Sequence, residues 1–203
     1  MPQGGTLMPR QRVKNATPDM PDIRDRYYEP ALIQLANELE PPSNLQILDQ
    51  GFEGACTGFS LAAVINQLNQ ESGRNIRVSP RMLYEMAKRN DEWPGEAYDG
   101  SSIRGAIRGW KNNGVCTDQA WPYRADGDPG QLTINRAINA RENTIGAYYR
   151  LRKEITDFHA ALNEVGIIAV SAQVHSGWDN PRGGKIKFHN KKTGGHAFAI
   201  VGY

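Results

Sequence analysis

The segment Asp49-Gln50-Gly51-Phe52-Glu53-Gly54-Ala55-Cys56-Thr57-Gly58-Phe59-Ser60 constrains this chain more than any other, because a glycine-rich loop delivers a cysteine to the start of a helix. From Ala55 onward, Phe59, Ala62, Ala63 and Leu68 recur at helical spacing until Glu71-Ser72-Gly73 stops them. That apolar face makes this the central helix of a core. A helix start also offers unpaired N–H groups and a partial positive charge, both of which favour thiolate over thiol. A cysteine without such a setting is ordinarily a small buried hydrophobe. Here Gly51, Gly54 and Gly58 leave room for backbone or substrate to come close, and Gln50 places an amide donor one loop upstream.

Two further helices follow. Ser79 and Pro80 form a cap and first-turn pair opening a helix through Lys88, and Ser102 to Asn113 puts Ile103, Ala106, Ile107 and Trp110 on one face before Gly114. Beyond Trp121-Pro122-Tyr123 the texture changes to Gly and Asp turns. Residues 144–151, 166–174 and 195–203 then read as strands, with one helix around Phe158 to Val165. Ahead of all this, residues 1–20 are Pro- and Gly-rich and polar and read as a flexible leader, while Ala31 to Leu39 is a short amphipathic stretch stopped by Pro41-Pro42. The expected architecture is α+β: a helical lobe over about 45–125 facing a β-sheet or barrel lobe over about 126–203, with a cleft between them.

Two hundred and three residues suffice for one sizeable core or two small lobes sharing a cleft. Without an apolar run long enough to span a bilayer, no membrane association is expected. Neither is nucleic-acid binding, since the net charge is only +2 and Lys and Arg are scattered. His159, His175 and His189 lack metal-ligand spacing with cysteine or carboxylates, so neither a metal nor any other cofactor is expected. Residues 1–15 carry Arg10, Arg12 and Lys14 but no apolar core of signal-peptide length. Cys116 has none of the surroundings of Cys56 and reads as a structural thiol. Two cysteines and no export signal fit a reducing, cytoplasmic compartment. Oligomeric state is not legible.

A partner for Cys56 stands far downstream in Gly194-Gly195-His196-Ala197-Phe198-Ala199-Ile200-Val201-Gly202-Tyr203, where His196 leads an apolar run that would hold its ring on a rigid strand as a general base. The two residues are 140 positions apart, within the roughly 130–150 that separate cysteine and histidine in papain-type peptidases. With Gln50, Cys56 and His196 in order, the chain resembles the papain-like cysteine peptidase family over about residues 21–203, and Asp22-Ile23-Arg24-Asp25 is similar to the mature start of its members.

The resemblance implies a cysteine endopeptidase acting on a peptide or protein substrate through a thiolate–imidazolium pair and a thioester. Gln50 would be the oxyanion donor. The family's peptide-binding positions fall on Gly100 and Ser101, with Gly54 and Gly195 also lining the cleft. Glu53 stands where secreted relatives usually carry a disulfide cysteine, Thr57 where an aromatic residue usually follows the nucleophile, and Gly195 where papain has an acidic residue. The family's Asn-Ser-Trp-Gly segment is absent, since the chain ends seven residues beyond His196, and the expectation is a domain lacking its C-terminal strands. Two rivals share these residues: a catalytically silent papain-like module that binds peptides, and another thiol acyl-transfer enzyme of amidase, deubiquitinase-like or transglutaminase-like type.

Overall fold

The computed structural model describes residues 12–91, 100–124 and 128–203, so residues 1–11 of the expected leader, most of the expected loop after the second helix and residues 125–127 lie outside it. The helix carrying the cysteine, α1, spans Cys56–Glu71, and α2 spans Pro80–Asn90. The Ser79 hydroxyl accepts from the Met82 N–H at 3.0 Å while Pro80 occupies the first turn, so both start signals act as read. Helix α3, Ile103–Asn113, is capped by Ser102 and ends at Gly114, whose φ of 73° suits glycine.

Leu61, Ala62 and Ile65 of α1 meet Met82, Leu83 and Met86 of α2 in the main core, with Ala106 of α3, Val115 and Trp121 closing it. Each large side chain buried there is worth roughly 1.5–3 kcal/mol of hydrophobic stabilisation. The α1–α2 crossing depends on Gly58, where an added Cβ would lie 2.6 Å from the Pro80 carbonyl oxygen. Helices α1 and α2 touch through backbone.

The second half holds α4 (Ile134–Ala140), α5 (Ile155–Val165), β1 (Ile168–His175), a 3-10 turn (Ser176–Asp179) and β2 (Lys192–Ile200). Strands β1 and β2 pair antiparallel, setting Ala172 opposite His196 and Ala169 opposite Ala199. Three expectations change here. Residues 144–151 form no strand and contribute only a bridge between Arg150 and Tyr27, with the Arg150 side chain paired to Asp25. The 134–140 stretch is a helix rather than part of a turn region, opened by a Thr133 side-chain cap. The amphipathic 31–39 stretch forms no regular element: Leu32 is fully exposed, and Leu39 exchanges backbone hydrogen bonds with Tyr203 at 2.8 and 3.0 Å.

Residues 19–28 are held by charge. Arg104 meets Asp25 at 2.5 Å, Arg150 meets the same carboxylate at 2.6 Å, and Arg108 reaches Asp22 at 3.0 Å. The Arg104 hydrogen bond, reinforced by Arg150, keeps the Asp25 carboxyl well below the usual carboxylate range. This clamp ties the N-terminal stretch to α3.

Candidate active site

Cys56 opens α1 and is fully buried against Ala197, the residue after His196 on β2, together with Ala16 and Ile103. Helix and strand therefore bring the two candidate reacting residues to one junction. Gln50 and His196 line the same cavity of about 760 Å3, along with Trp178, Phe59, Ser60 and Lys14. The edge of Trp178 faces the His196 ring, with centroids 6.1 Å apart and planes at 72°. Sequence reasoning missed Trp178, since a lone aromatic after Gly177 carries no periodic signal.

The loop from Gln50 to Cys56 is fixed from within. Gln50 Nε2 donates to the Glu53 carbonyl at 2.8 Å, and the Gln50 carbonyl accepts from the Tyr123 hydroxyl at 2.6 Å. Within the helical lobe, the Thr57 and Ser101 hydroxyls share a hydrogen bond of 2.5 Å, and both residues are fully buried. Thr57, the departure from the family's aromatic residue, thus ties α1 to the wall that carries Gly100 and Ser101. Asp91 steadies that wall by accepting from the Ser102 N–H and hydroxyl at 2.9 and 2.6 Å.

Residues 12–17, within the stretch expected to be a leader, lie along the cleft. The Ala16 N–H donates to the Gly195 carbonyl at 3.0 Å, and the Thr17 N–H to the Ser101 carbonyl at 3.1 Å. Asn15 bridges in parallel to Gly195. Its side chain fills the slot at Gly54, where an added Cβ would lie 2.3 Å from Asn15 Nδ2; one at Gly100 would lie 2.2 Å from the Asn15 carbonyl oxygen. Lys14 pairs with Asp179, and Arg12 with Asp49 at 3.1 Å. Composition hid this strap, because Arg12-Val13-Lys14-Asn15-Ala16-Thr17 has no periodicity and its docking surface is assembled from distant residues.

Burial reverses the expected electrostatics. Burial pushes the Cys56 thiol up, outweighing the nearby main-chain N–H groups of Ala197, Thr57, Cys56 and Ala16 that favour thiolate. His196 moves down, first through burial and then through the positive charges of Lys14 and Arg12. Helix-start stabilisation of a thiolate is present but loses to desolvation. Both shifts favour the neutral forms of the thiol and the imidazole. His196 Nδ1, both polar atoms of the Asn15 side chain and Ser60 Oγ are buried without hydrogen-bond partners among the described residues. Cys116, in the separate α1–α2 core, is also a free thiol, pushed up to about 11 by burial.

An extended peptide lying over a buried thiol, hydrogen-bonded to both walls of a cleft, is the arrangement that peptidases of the thiol class require. The chain belongs to the papain family of cysteine proteases, whose family model matches residues 42–203. Among solved structures it is similar to xylellain, a cysteine protease from Xylella fastidiosa, at 26% identity and a TM-score of 0.83, covering 98% of this chain and 83% of that one. It also shares its fold with procathepsin B S9 from Trypanosoma congolense (18% identity, TM-score 0.75, 93% and 70% coverage). Digestive procathepsin L 3 from the Tenebrio molitor larval midgut gives 20% identity and a TM-score of 0.65, with 96% and 61% coverage. No curated protein matches the chain. The protein is thus a papain-like cysteine peptidase, with peptides or proteins as its substrate class. Among the described residues no helix is long and apolar enough to cross a membrane.

Proposed function

We propose that Cys56 is the nucleophile, His196 the general base and acid, and Gln50 with the Cys56 N–H the oxyanion donors of an endopeptidase, in which Gly54, Gly100, Ser101 and Gly195 hold the substrate backbone. One observation carries this reading. Those four residues are the ones that grip the strap, two through carbonyl hydrogen bonds and two by leaving no room for a Cβ. A cleft that receives residues 15–17 as an extended strand has the walls and donors to receive a substrate strand in their place.

With the strap displaced and water admitted, the desolvation that keeps Cys56 and His196 neutral is removed, and the proton passes from sulfur to imidazole. The thiolate attacks the scissile carbonyl carbon, forming a C–S bond while the carbonyl electrons move onto oxygen, where Gln50 and the Cys56 N–H stabilise them. Collapse of this intermediate breaks the C–N bond as His196 gives its proton to the leaving amine. Water, deprotonated by His196, then cleaves the thioester and restores the thiol. The Trp178 edge and Phe198, 6.2 Å from His196 between centroids, flank the imidazole.

The peptidase unit of this reading is 21–203, with residues 12–17 acting as its plug. A reducing, cytoplasmic setting agrees with two free cysteines buried in separate clusters and with Glu53 in an ion pair. The test is hydrolysis of an internally quenched peptide library by the chain with and without residues 1–17. Cleavage within peptides, abolished by Cys56→Ala, is expected. Peptide binding without cleavage supports the silent-module rival, and hydrolysis confined to side-chain amides supports the acyl-transfer rival.

A further inference from the structure

Arg81 is a long, charged side chain with only 2% of its surface exposed, and it lies on α2, away from the reacting atoms. A buried guanidinium is costly unless its donors are met. Here they are met by the catalytic loop: Nη1 and Nη2 donate to the two Glu53 carboxylate oxygens, each at 2.6 Å. Nη1 also reaches Glu85 at 3.2 Å, and Nη2 the Arg124 carbonyl at 3.2 Å. The guanidinium carbon stands 4.5 Å from the centre of the Tyr123 ring, a cation–π distance.

Both ends of this cluster return to Gln50. The Glu53 carboxylate is gripped by Arg81 while the Glu53 main-chain carbonyl accepts from Gln50 Nε2, and the Tyr123 hydroxyl donates to the Gln50 main-chain carbonyl. We propose that Arg81, through Glu53 and Tyr123, is a positioning residue for the Gln50 carboxamide, the ion pair serving as the cross-link that keeps the oxyanion donor aimed. The fork matters as well as the charge. Two parallel N–H···O bonds fix the carboxylate plane, and with it the carbonyl that orients Gln50, in a way a single ammonium cannot. One N–H of the Gln50 amide is used by Glu53, which leaves the other for a developing oxyanion. The inference rests on the peptidase reading.

The test uses the full chain. Arg81→Lys keeps the charge and loses the fork, and Tyr123→Phe removes one hydroxyl with little risk to folding. Each is made alone and together with Gln50→Ala, and kcat, KM, Tm and the iodoacetamide reactivity of Cys56 are measured. Misaiming a donor by about an ångström costs on the order of 100-fold. Arg81→Lys is therefore expected to lower kcat roughly 10- to 100-fold, and Tyr123→Phe to act in the same direction but less. KM and Cys56 reactivity stay within about twofold, and neither substitution lowers kcat further once Gln50 is alanine. A penalty that persists undiminished in the Gln50→Ala background, or that falls on KM or on Cys56 reactivity, overturns the proposal. Independently of turnover, side-chain amide hydrogen exchange of Gln50 by NMR is expected to speed up in Arg81→Lys, and unchanged exchange also overturns it. If the wild-type chain shows no Cys56-dependent hydrolysis yet Gln50 exchange responds to Arg81, the peptidase reading fails while the clamp stands.

Discussion

Removing residues 1–17 should unmask Cys56, and the interactions of the strap set the size of the effect. Two backbone hydrogen bonds, Ala16 to Gly195 and Thr17 to Ser101, contribute about 1 kcal/mol each. The partly buried Lys14–Asp179 pair adds about 1 kcal/mol, while the exposed Arg12–Asp49 pair adds about nothing. Burial of the Ala16 methyl is worth roughly 0.8 kcal/mol. Against these stands the Asn15 carboxamide, buried with neither nitrogen nor oxygen paired, at a cost of about 2 kcal/mol. The net, about 2 kcal/mol, corresponds to roughly 30-fold in favour of the covered state. Iodoacetamide labelling of Cys56 near neutral pH, followed by peptide mass mapping, should therefore accelerate about 30-fold on deletion. Lys14→Ala should give about fivefold. Asn15→Ala should go the other way, slowing labelling by roughly 30-fold, since it removes an unpaired buried amide from the covered state. Unchanged labelling in a deletion variant that remains folded, or acceleration by Asn15→Ala to match Lys14→Ala, would refute the reasoning.

Other consequences of the geometry are measurable. The ratio of labelling rates, deletion variant over wild type, should vary with pH in a defined sense. Covering lowers the His196 pKa and raises that of Cys56, so the covered state loses stability toward acid pH, where the uncovered pair takes up a proton that the covered pair refuses, and toward alkaline pH, where the uncovered pair gives up one that the covered pair keeps. The ratio should peak between them, and a flat profile would rule out this coupling. Gly195→Ala places a Cβ where the Ala16 carbonyl oxygen stands 1.9 Å away. It should speed Cys56 labelling by expelling the strap while raising KM for peptides, since both strands use that wall; a variant that labels faster and binds peptides better contradicts the shared site. Thr57→Val leaves the fully buried Ser101 hydroxyl without its partner, at a cost of about 2 kcal/mol, or roughly 6 °C in Tm by differential scanning calorimetry. An unchanged Tm would mean that the helix and the wall are joined by something else.

What could be read in advance followed from signals that are local. Ser79-Pro80, Ser102 and Gly114 mark helix boundaries through caps that need only neighbouring residues, and the helices begin and end beside them. Helix α4 escaped because Thr133 is its only strong start signal and Ile134 and Ile138 are exposed, so no apolar face pointed to it. The proposed strand at 144–151 failed for the opposite reason. Its apolar and aromatic residues suit a sheet, but Arg150 is claimed by Asp25, more than a hundred positions earlier. Gln50, Cys56 and His196 stood out as candidate chemistry and as a family pattern, whereas the direction of the Cys56 pKa shift did not. The sign of its shift depends on burial, to which Ala16, Ile103 and Ala197 all contribute, and no local rule associates Ala16 with a cleft. Glu53 was read as a departure from a disulfide position; that Arg81 meets it with both nitrogens depends on the α1–α2 crossing at Gly58.

The central claim is that a Cys56–His196 pair performs the peptidase chemistry in a cleft that residues 12–17 cover. It is tested most directly by treating the chain lacking residues 1–17 with a peptidyl fluoromethyl ketone and locating the adduct by mass spectrometry. A single adduct on Cys56, formed much faster than in the full chain and lost in His196→Ala, is the expected result. Labelling of Cys116 at a comparable rate, or equal labelling of Cys56 with and without either the strap or the imidazole, would contradict it.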